Sequence, residues 1–171
     1  MPNCCNEQQC AAMVPTARCP VNGAAGAVVE SSAINALITT TALQRFEPGA
    51  YRFCASADCE VVYFDEQGRV FTVGDLRVAV WQKQPEGNRV LCYCFGENEC
   101  AMRAEIARDG QSGAVERVRA HIRAGRCACD VRNPRGICCL GDVMTAIKHL
   151  NVHAAISPTN ATDTISVRTT S

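Results

Sequence analysis

The residues able to do chemistry in this chain are its thirteen cysteines, which fall into groups rather than being spread evenly over 171 residues. Cys4, Cys5 and Cys10 come first. Cys19 opens a Cys-Pro-Val-Asn-Gly run, and Cys54 and Cys59 bracket a short polar turn. Cys92-x-Cys94, Cys100, Cys127-x-Cys129 and Cys138-Cys139 follow. A Cys-Pro-x-x-Gly turn followed by a hairpin with two cysteines is a common way to hold zinc at the edge of a small sheet. Cys19, Cys54 and Cys59 are therefore expected as zinc ligands. Asn22 stands where the second cysteine of such a knuckle would be. The fourth ligand is open among Cys10, Cys5 and Cys4, with Asp58 a weaker option, and Cys10 is grouped with the three as the expected metal set. A separate use for Cys4, Cys5 and Cys10 is transient capture of copper as Cu(I) or mercury as Hg(II), soft ions that suit exchangeable thiolates.

The later cysteines form a second constellation. Cys92 and Cys94 precede an expected helical hairpin, and Cys127, Cys129, Cys138 and Cys139 follow it. Antiparallel packing of the hairpin returns the chain toward Cys92, so that four thiolates can surround one inorganic centre. Asn133-Pro134-Arg135-Gly136 folds Cys129 back toward Cys138 and Cys139, because Pro sets φ for a turn and Gly permits its exit. The last pair lies at the start of a helix, where unpaired N–H groups and the positive dipole end favour thiolates. Four thiolates suit zinc or an iron–sulfur cluster alike, although two Cys-x2-Cys knuckles, the usual zinc-ribbon arrangement, do not occur here. Cys100, inside an expected helix, reads as packing.

Composition narrows the function classes. Lys and Arg number 17, as do Asp and Glu, and the basic residues form no patch, so neither nucleic acid nor a membrane surface is an expected partner. No apolar run approaches the length of a membrane span. The N-terminal MPNCCNEQQC has neither a basic nor an apolar signal region, so a cytoplasmic protein with reduced thiols is expected. No Ser-His-Asp pattern, Walker loop or dinucleotide fingerprint occurs, which leaves a metal or electron-transfer protein ahead of a conventional enzyme. His149 and His153 are four apart but straddle an expected helix end, where His caps carbonyls, and His121 reads as a boundary residue.

The positioning elements are read from periodicity. Residues 1–18 read as a flexible arm. Residues 33–43 suit a short helix that the Thr run weakens. YRFC, EVVYF, VFTV and LRVAVW are β-branched and aromatic runs separated by turn residues, which predicts a small antiparallel sheet over residues 50–82. Gln84 to Asn88 reads as a linker. Helices are expected over 98–108, with Asn98 as N-cap and Gly110 as stop, and over 113–124, with Ser112 as cap and Val115, Val118 and Ile122 as its buried stripe. A third is expected over 141–150, and residues 151–171 read as a disordered tail.

Taken together, YRFCASADCEVVYF, LCYCFGENE and CDVRNPRGICC resemble the N-terminal domain of the CopZ copper chaperones, over roughly residues 19–150. The resemblance implies an α+β fold: a small antiparallel zinc-binding β-sheet subdomain over 19–83, followed by a helical, bacterioferritin-associated-ferredoxin-like 2Fe–2S subdomain over 84–150. It implies a cluster on Cys92, Cys94, Cys129 and Cys139, the last preferred to Cys138 as nearer the helix, and zinc on Cys19, Cys54 and Cys59. The implied role is metal homeostasis, with single-electron transfer such as reduction of Cu(II) to Cu(I), and with a metal-transporting ATPase, membrane transporter or metal chaperone as partner; the alternatives are a zinc-only protein-interaction module and a small ferredoxin in iron metabolism. In the full-length chaperones a Met-x-Cys-x-x-Cys motif binds Cu(I); no such motif occurs among these residues, and Cys127 and Cys4-Cys5 are additional to the family pattern.

Overall fold

The computed structural model describes residues 18–156, so Cys4, Cys5 and Cys10 and most of the expected tail lie outside the described residues. In chain order the strands are β1 (Ala27–Val29), β2 (Tyr51–Phe53), β3 (Val61–Asp65), β4 (Val70–Thr72), β5 (Val90–Cys92) and β6 (Glu97–Asn98). The helices are α1 (Ser31–Leu37), α2 (Thr40–Leu43), α3 (Glu99–Asp109), α4 (Ala114–Arg123), α5 (Cys129–Arg132) and α6 (Leu140–Ile156). Two compact units result. One runs to Pro85 and includes Ala128–Cys138; the other comprises Glu86–Cys127 and the chain from Cys139. None of the helices is long and apolar enough to cross a membrane among the described residues.

The first unit is a four-stranded antiparallel sheet in the order β1-β2-β3-β4. All five residues of β3 are buried, and a register irregularity lies between Val61 and Tyr63. A bulge of this kind lets neighbouring residues escape strict alternation. Val62 and Tyr63 thus join the main core of Val29, Ile34, Ile38, Tyr51, Phe53 and Phe71, while Val61 and Phe64 pack with Cys19, Cys54 and Cys59. The cysteines share a strand with the core.

Two expectations for this unit are corrected. LRVAVW is not a strand. After β4, Asp75 accepts from the Thr72 backbone at 2.7 Å and pairs with Arg45 at 2.6 Å, and the chain turns through a single 3-10 turn over Val73–Asp75. Leu76 then bridges Ile38, and Leu76 and Val80 enter the core without a ladder. The fourth strand is β1, from the Gly/Ala-rich stretch read as no element. The expected single helix over 33–43 is two, because Thr39 leaves helical geometry and its hydroxyl accepts from Ala42 N at 3.2 Å, starting a new helix.

Ala128–Cys138, which the sequence reading grouped with the later helices, belongs to the first unit. Tyr63 Oη donates to Pro134 O at 2.8 Å, and Gly136, at φ 67°, comes close to Val29 and Ala33. Buried Asn133 holds the turn through Nδ2 to Ile137 O (2.7 Å) and through Oδ1 from Arg135 N (3.0 Å). Its polar atoms are thus paired, as burial requires.

In the second unit α3 begins at Asn98, whose side chain accepts from Ala101 N at 2.9 Å, and stops at Gly110 with φ 76°. Helix α4 starts at Ala114, directly after Gly113, and Ser112 Oγ accepts from Ala114 N at 3.3 Å. Its buried residues are Ala114 and Val118, and Ile122 is 39% exposed, which shortens the expected stripe. Helix α6 continues six residues past Leu150, so His149 lies within it rather than beside its end. The β5–β6 hairpin was not expected from the sequence.

Gly26 offers a check on the packing between sheet and cysteines. A Cβ there would lie 2.6 Å from Phe64 Cζ and 2.7 Å from Arg52 Cβ. Gly26→Ala is expected to cost about 1–3 kcal/mol, the usual penalty of overpacking, read as a lower urea midpoint with unchanged slope. Because Phe64 packs on the cysteines, zinc content should fall with it.

Candidate metal centre

The Cys19 turn is closed by its own backbone: Gly23 N donates to Cys19 O and Cys19 N to Ala24 O, both at 2.8 Å. Gly23 takes φ 70°, a conformation that favours glycine. On the other side, Cys54 continues the β2–β3 ladder through its N–H to Val62 O at 2.9 Å, and Cys59 N donates to Ser56 O at 3.3 Å. The knuckle and the hairpin bring Cys19, Cys54 and Cys59 together with all three Sγ atoms within 4.8 Å of one another, each buried.

This donor set fits zinc. Two ligands of a tetrahedral ion with Zn–S near 2.3 Å stand about 3.8 Å apart. Cys19 Sγ and Cys59 Sγ are separated by 3.8 Å. Among the described residues no His, Asp or Glu donor joins the three, so Asp58, the weaker option for a fourth ligand, is not part of the cluster. Cys10 lies outside the described residues. Position 22 does face the centre: Asn22 Nδ2 is 3.7 Å from Cys54 Sγ.

The three thiols are electrostatically unequal. Burial pushes the Cys54 thiol up, but the Ser56 N–H, the Lys83 charge and the Ser56 hydroxyl outweigh it, and the thiol sits below its ordinary value. Lys83 is held there by its bond to Ser56 O at 2.7 Å. Burial raises the Cys59 thiol, and its hydrogen bonds with Cys19 and Cys54 and the Cys54 charge add to the rise. Bringing three thiolates together without a cation is therefore opposed, and a divalent metal removes that opposition.

In the second unit, Cys92 ends β5 and Cys94 lies in the β5–β6 connection, where Gly96, at φ 72°, donates its N–H to Cys92 O at 2.8 Å. The Cys139 thiol hydrogen-bonds Cys92, and against burial this contact and the N–H groups of Phe95 and Cys94 lower the Cys92 thiol to about 7. Cys139 is buried and its carbonyl accepts from Val143 N at 3.0 Å, at the start of α6; Cys138 is exposed. Cys94 and Cys127 are half-buried and Cys100 is exposed. Cys129 is buried in α5, in the first unit.

Sequence reasoning missed what anchors this loop. Buried Glu99 accepts from Gly87 N at 2.8 Å and from Arg89 Nε at 2.8 Å. Buried Glu97 takes a bidentate pair from Arg117 at 2.7 and 2.8 Å, and Arg117 also reaches Glu105 at 2.8 Å. His121 stacks on Phe95 with ring centroids 3.6 Å apart. The only available signal was acidic residues flanking a Cys-x-Cys motif, with arginines at helical spacing.

Residues 16–77 match the model of a family described as a zinc binding domain. Copper chaperone CopZ of Archaeoglobus fulgidus is 38% identical over 92 residues, which are 53% of this chain and 43% of that protein. The X-ray structure of the Archaeoglobus fulgidus CopZ N-terminal domain superposes with a TM-score of 0.63 at 31% identity, covering 75% of this chain and 96% of that one. The chain belongs to the family of the CopZ N-terminal domain. Its mixture of helices and antiparallel sheet is that domain's fold, and the converging cysteines lie in the part that matches the zinc-binding family. Against the full-length CopZ chaperone, the match spans less than half of the relative's length.

The raised Cys59 thiol gives a pH dependence with a definite sign. It keeps its proton at neutral pH and must release it on coordination, so zinc affinity should rise with pH, by about tenfold or more per unit between about pH 6 and pH 8. Chelator competition at several pH values measures this, and an affinity flat across that range would exclude Cys59 as a ligand.

Proposed function

We propose that this protein serves metal homeostasis as the CopZ N-terminal domain does, with a zinc centre on Cys19, Cys54 and Cys59 and a 2Fe–2S cluster on Cys92, Cys94, Cys129 and Cys139. The observation that carries the zinc assignment is the convergence of three buried sulfur atoms at a spacing suited to a tetrahedral ion. The cluster is supported by the family pattern and by the contact of Cys139 with a Cys92 thiol lowered to about 7. A thiol lowered in this way ionises more readily, and the thiolate is the form that ligates iron.

A 2Fe–2S cluster supplies one-electron chemistry of the kind that reduces Cu(II) to Cu(I). The chain's own part is to fix the thiolates on a short hairpin, to donate N–H groups toward Cys92 sulfur, and to hold the loop with paired carboxylates. These are the means by which a protein sets cluster potential. Copper and mercury are cargo in this reading, reached through the thiols of Cys4, Cys5 and Cys10. The partners follow from that cargo: a metal-transporting ATPase, a membrane transporter or another metal chaperone. A cytoplasmic location is part of the same proposal.

Anaerobic purification followed by metal, acid-labile sulfide and visible-absorption analysis tests this. Zinc near one per chain, iron and sulfide near two, and a red-brown colour are expected for a single 2Fe–2S centre. Cys94→Ser should bleach the colour and retain zinc, and Cys54→Ser should lose zinc and retain colour. A colourless protein holding zinc alone after iron and sulfide reconstitution would leave a zinc-only interaction module in its place.

A further inference from the structure

Asn22 determines how the zinc centre is closed. Its Oδ1 accepts from Ala24 N at 3.0 Å and, more distantly, from the Cys54 thiol at 4.0 Å, while Nδ2 is the nearer amide atom to Cys54 Sγ, 3.7 Å away. An amide ligates zinc through its oxygen, and here that oxygen already accepts the Ala24 N–H, a bond that ligation would weaken. Asn22 therefore acts as an N–H donor to a sulfur ligand, lowering the charge that the sulfur presents to the metal. Among the described residues no carboxylate or imidazole takes the remaining corner. The three cysteines are buried, whereas Asn22 beside them is exposed, so among the described residues this side of the centre borders solvent. A cavity of 220 Å³, lined by Ala57, Asp58, Cys59, Glu60, Val73 and Lys83, also reaches the centre's edge through Cys59.

Three thiolates and an open position describe an exchangeable site, because closed structural zinc sites use four protein ligands and reactive ones leave one free. The geometry points to a centre in which Cys19, Cys54 and Cys59 hold the metal and the fourth ligand is an external thiolate, so that metal can enter and leave by thiolate exchange. The incoming thiol loses its proton to solvent as its sulfur bonds the metal, and a departing thiolate regains one; no electron is transferred. This rests on the zinc assignment above and extends it from holding a metal to passing one on.

Cobalt(II) titration of the full chain without added thiol tests the inference, since thiolate-to-cobalt absorption grows with the number of sulfurs bound. Measured as the difference from a Cys54→Ser variant, which removes this centre and leaves the other cysteines, the expected absorption is that of three thiolates, the same in a Cys4/Cys5/Cys10→Ser background. It should rise by about one third, saturably, on adding glutathione or a short Cys-x-x-Cys peptide. A rise with glutathione identifies small thiols as the source; a rise with the peptide alone identifies partner cysteines. Asn22→Cys should show the higher absorption from the outset, no response to thiol, and metal loss to a chelator about tenfold slower. Asn22→Ala, with far-UV circular dichroism to check folding, should keep the thiol response, which keeps the test valid if Asn22→Cys misfolds. The inference is overturned if neither thiol changes the spectrum, or if the triple serine variant loses about a quarter of the absorption, since the chain then supplies the fourth sulfur itself. Failure of the zinc assignment looks different: Cys59→Ser would leave the cobalt spectrum unchanged.

Discussion

Three sulfur atoms are buried within 4.8 Å of one another, and the first unit is arranged around that constraint. Ionising Cys54 makes Cys59 harder to ionise, and burial opposes both charges. Such a cluster is stable either as protonated thiols in imperfect contact or as thiolates around a cation. The surrounding core leans the balance toward the cation. Lys83 and the Ser56 N–H already favour the first thiolate, and Phe64 and Val61 keep water from the others. The same β3 that packs Val62 and Tyr63 into the main core packs Val61 and Phe64 on the cysteines. Sheet stability and metal retention are consequently linked through one strand.

The second unit solves a related problem differently. Its Cys-x-Cys loop lies between two very short strands, too little ladder to fix a ligand. Rigidity comes instead from buried carboxylates next to the loop. Glu99 collects backbone N–H groups and the Arg89 guanidinium, which keep its carboxyl below the usual range despite burial. Glu97 is gripped at both oxygens by Arg117. Buried pairs of this kind add little net stability, but they penalise other conformations, because separating them strands a charge. That is the property a ligand loop needs.

Local signals in the sequence were read well where one residue decides the outcome. Asn98 and Gly110 bound α3 because a side-chain cap and a left-handed glycine act within a few residues. β2, β3 and β4 follow from β-branched runs between turns, and Cys19, Cys54 and Cys59 from their knuckle and hairpin. What failed depended on distant partners. β1 is three residues of an Ala/Val stretch that becomes a strand only beside β2. LRVAVW has strand composition, but Asp75, tied to Thr72 and Arg45, turns the chain away before it can pair. Ala128–Cys138 joins the first unit through the Tyr63 hydroxyl, a contact 71 residues distant in sequence that no periodicity reports.

Asn22 shows how one position can alter the use of a site without altering its fold. The turn around it is closed by two backbone bonds, Gly23 N to Cys19 O and Cys19 N to Ala24 O, to which the Asn22 side chain adds one from Ala24 N. Cysteine there would add a fourth thiolate and a second negative charge beyond what a divalent ion neutralises. Asparagine leaves the three-thiolate centre one charge closer to neutral and shields Cys54 with an N–H. A less anionic centre attracts a further thiolate more readily, and a protein ligand set one short cannot hold the metal against a competing thiol as firmly as a complete one. The turn keeps the shape that a structural zinc knuckle needs, while in the proposed exchange its chemistry is that of a site able to release what it binds.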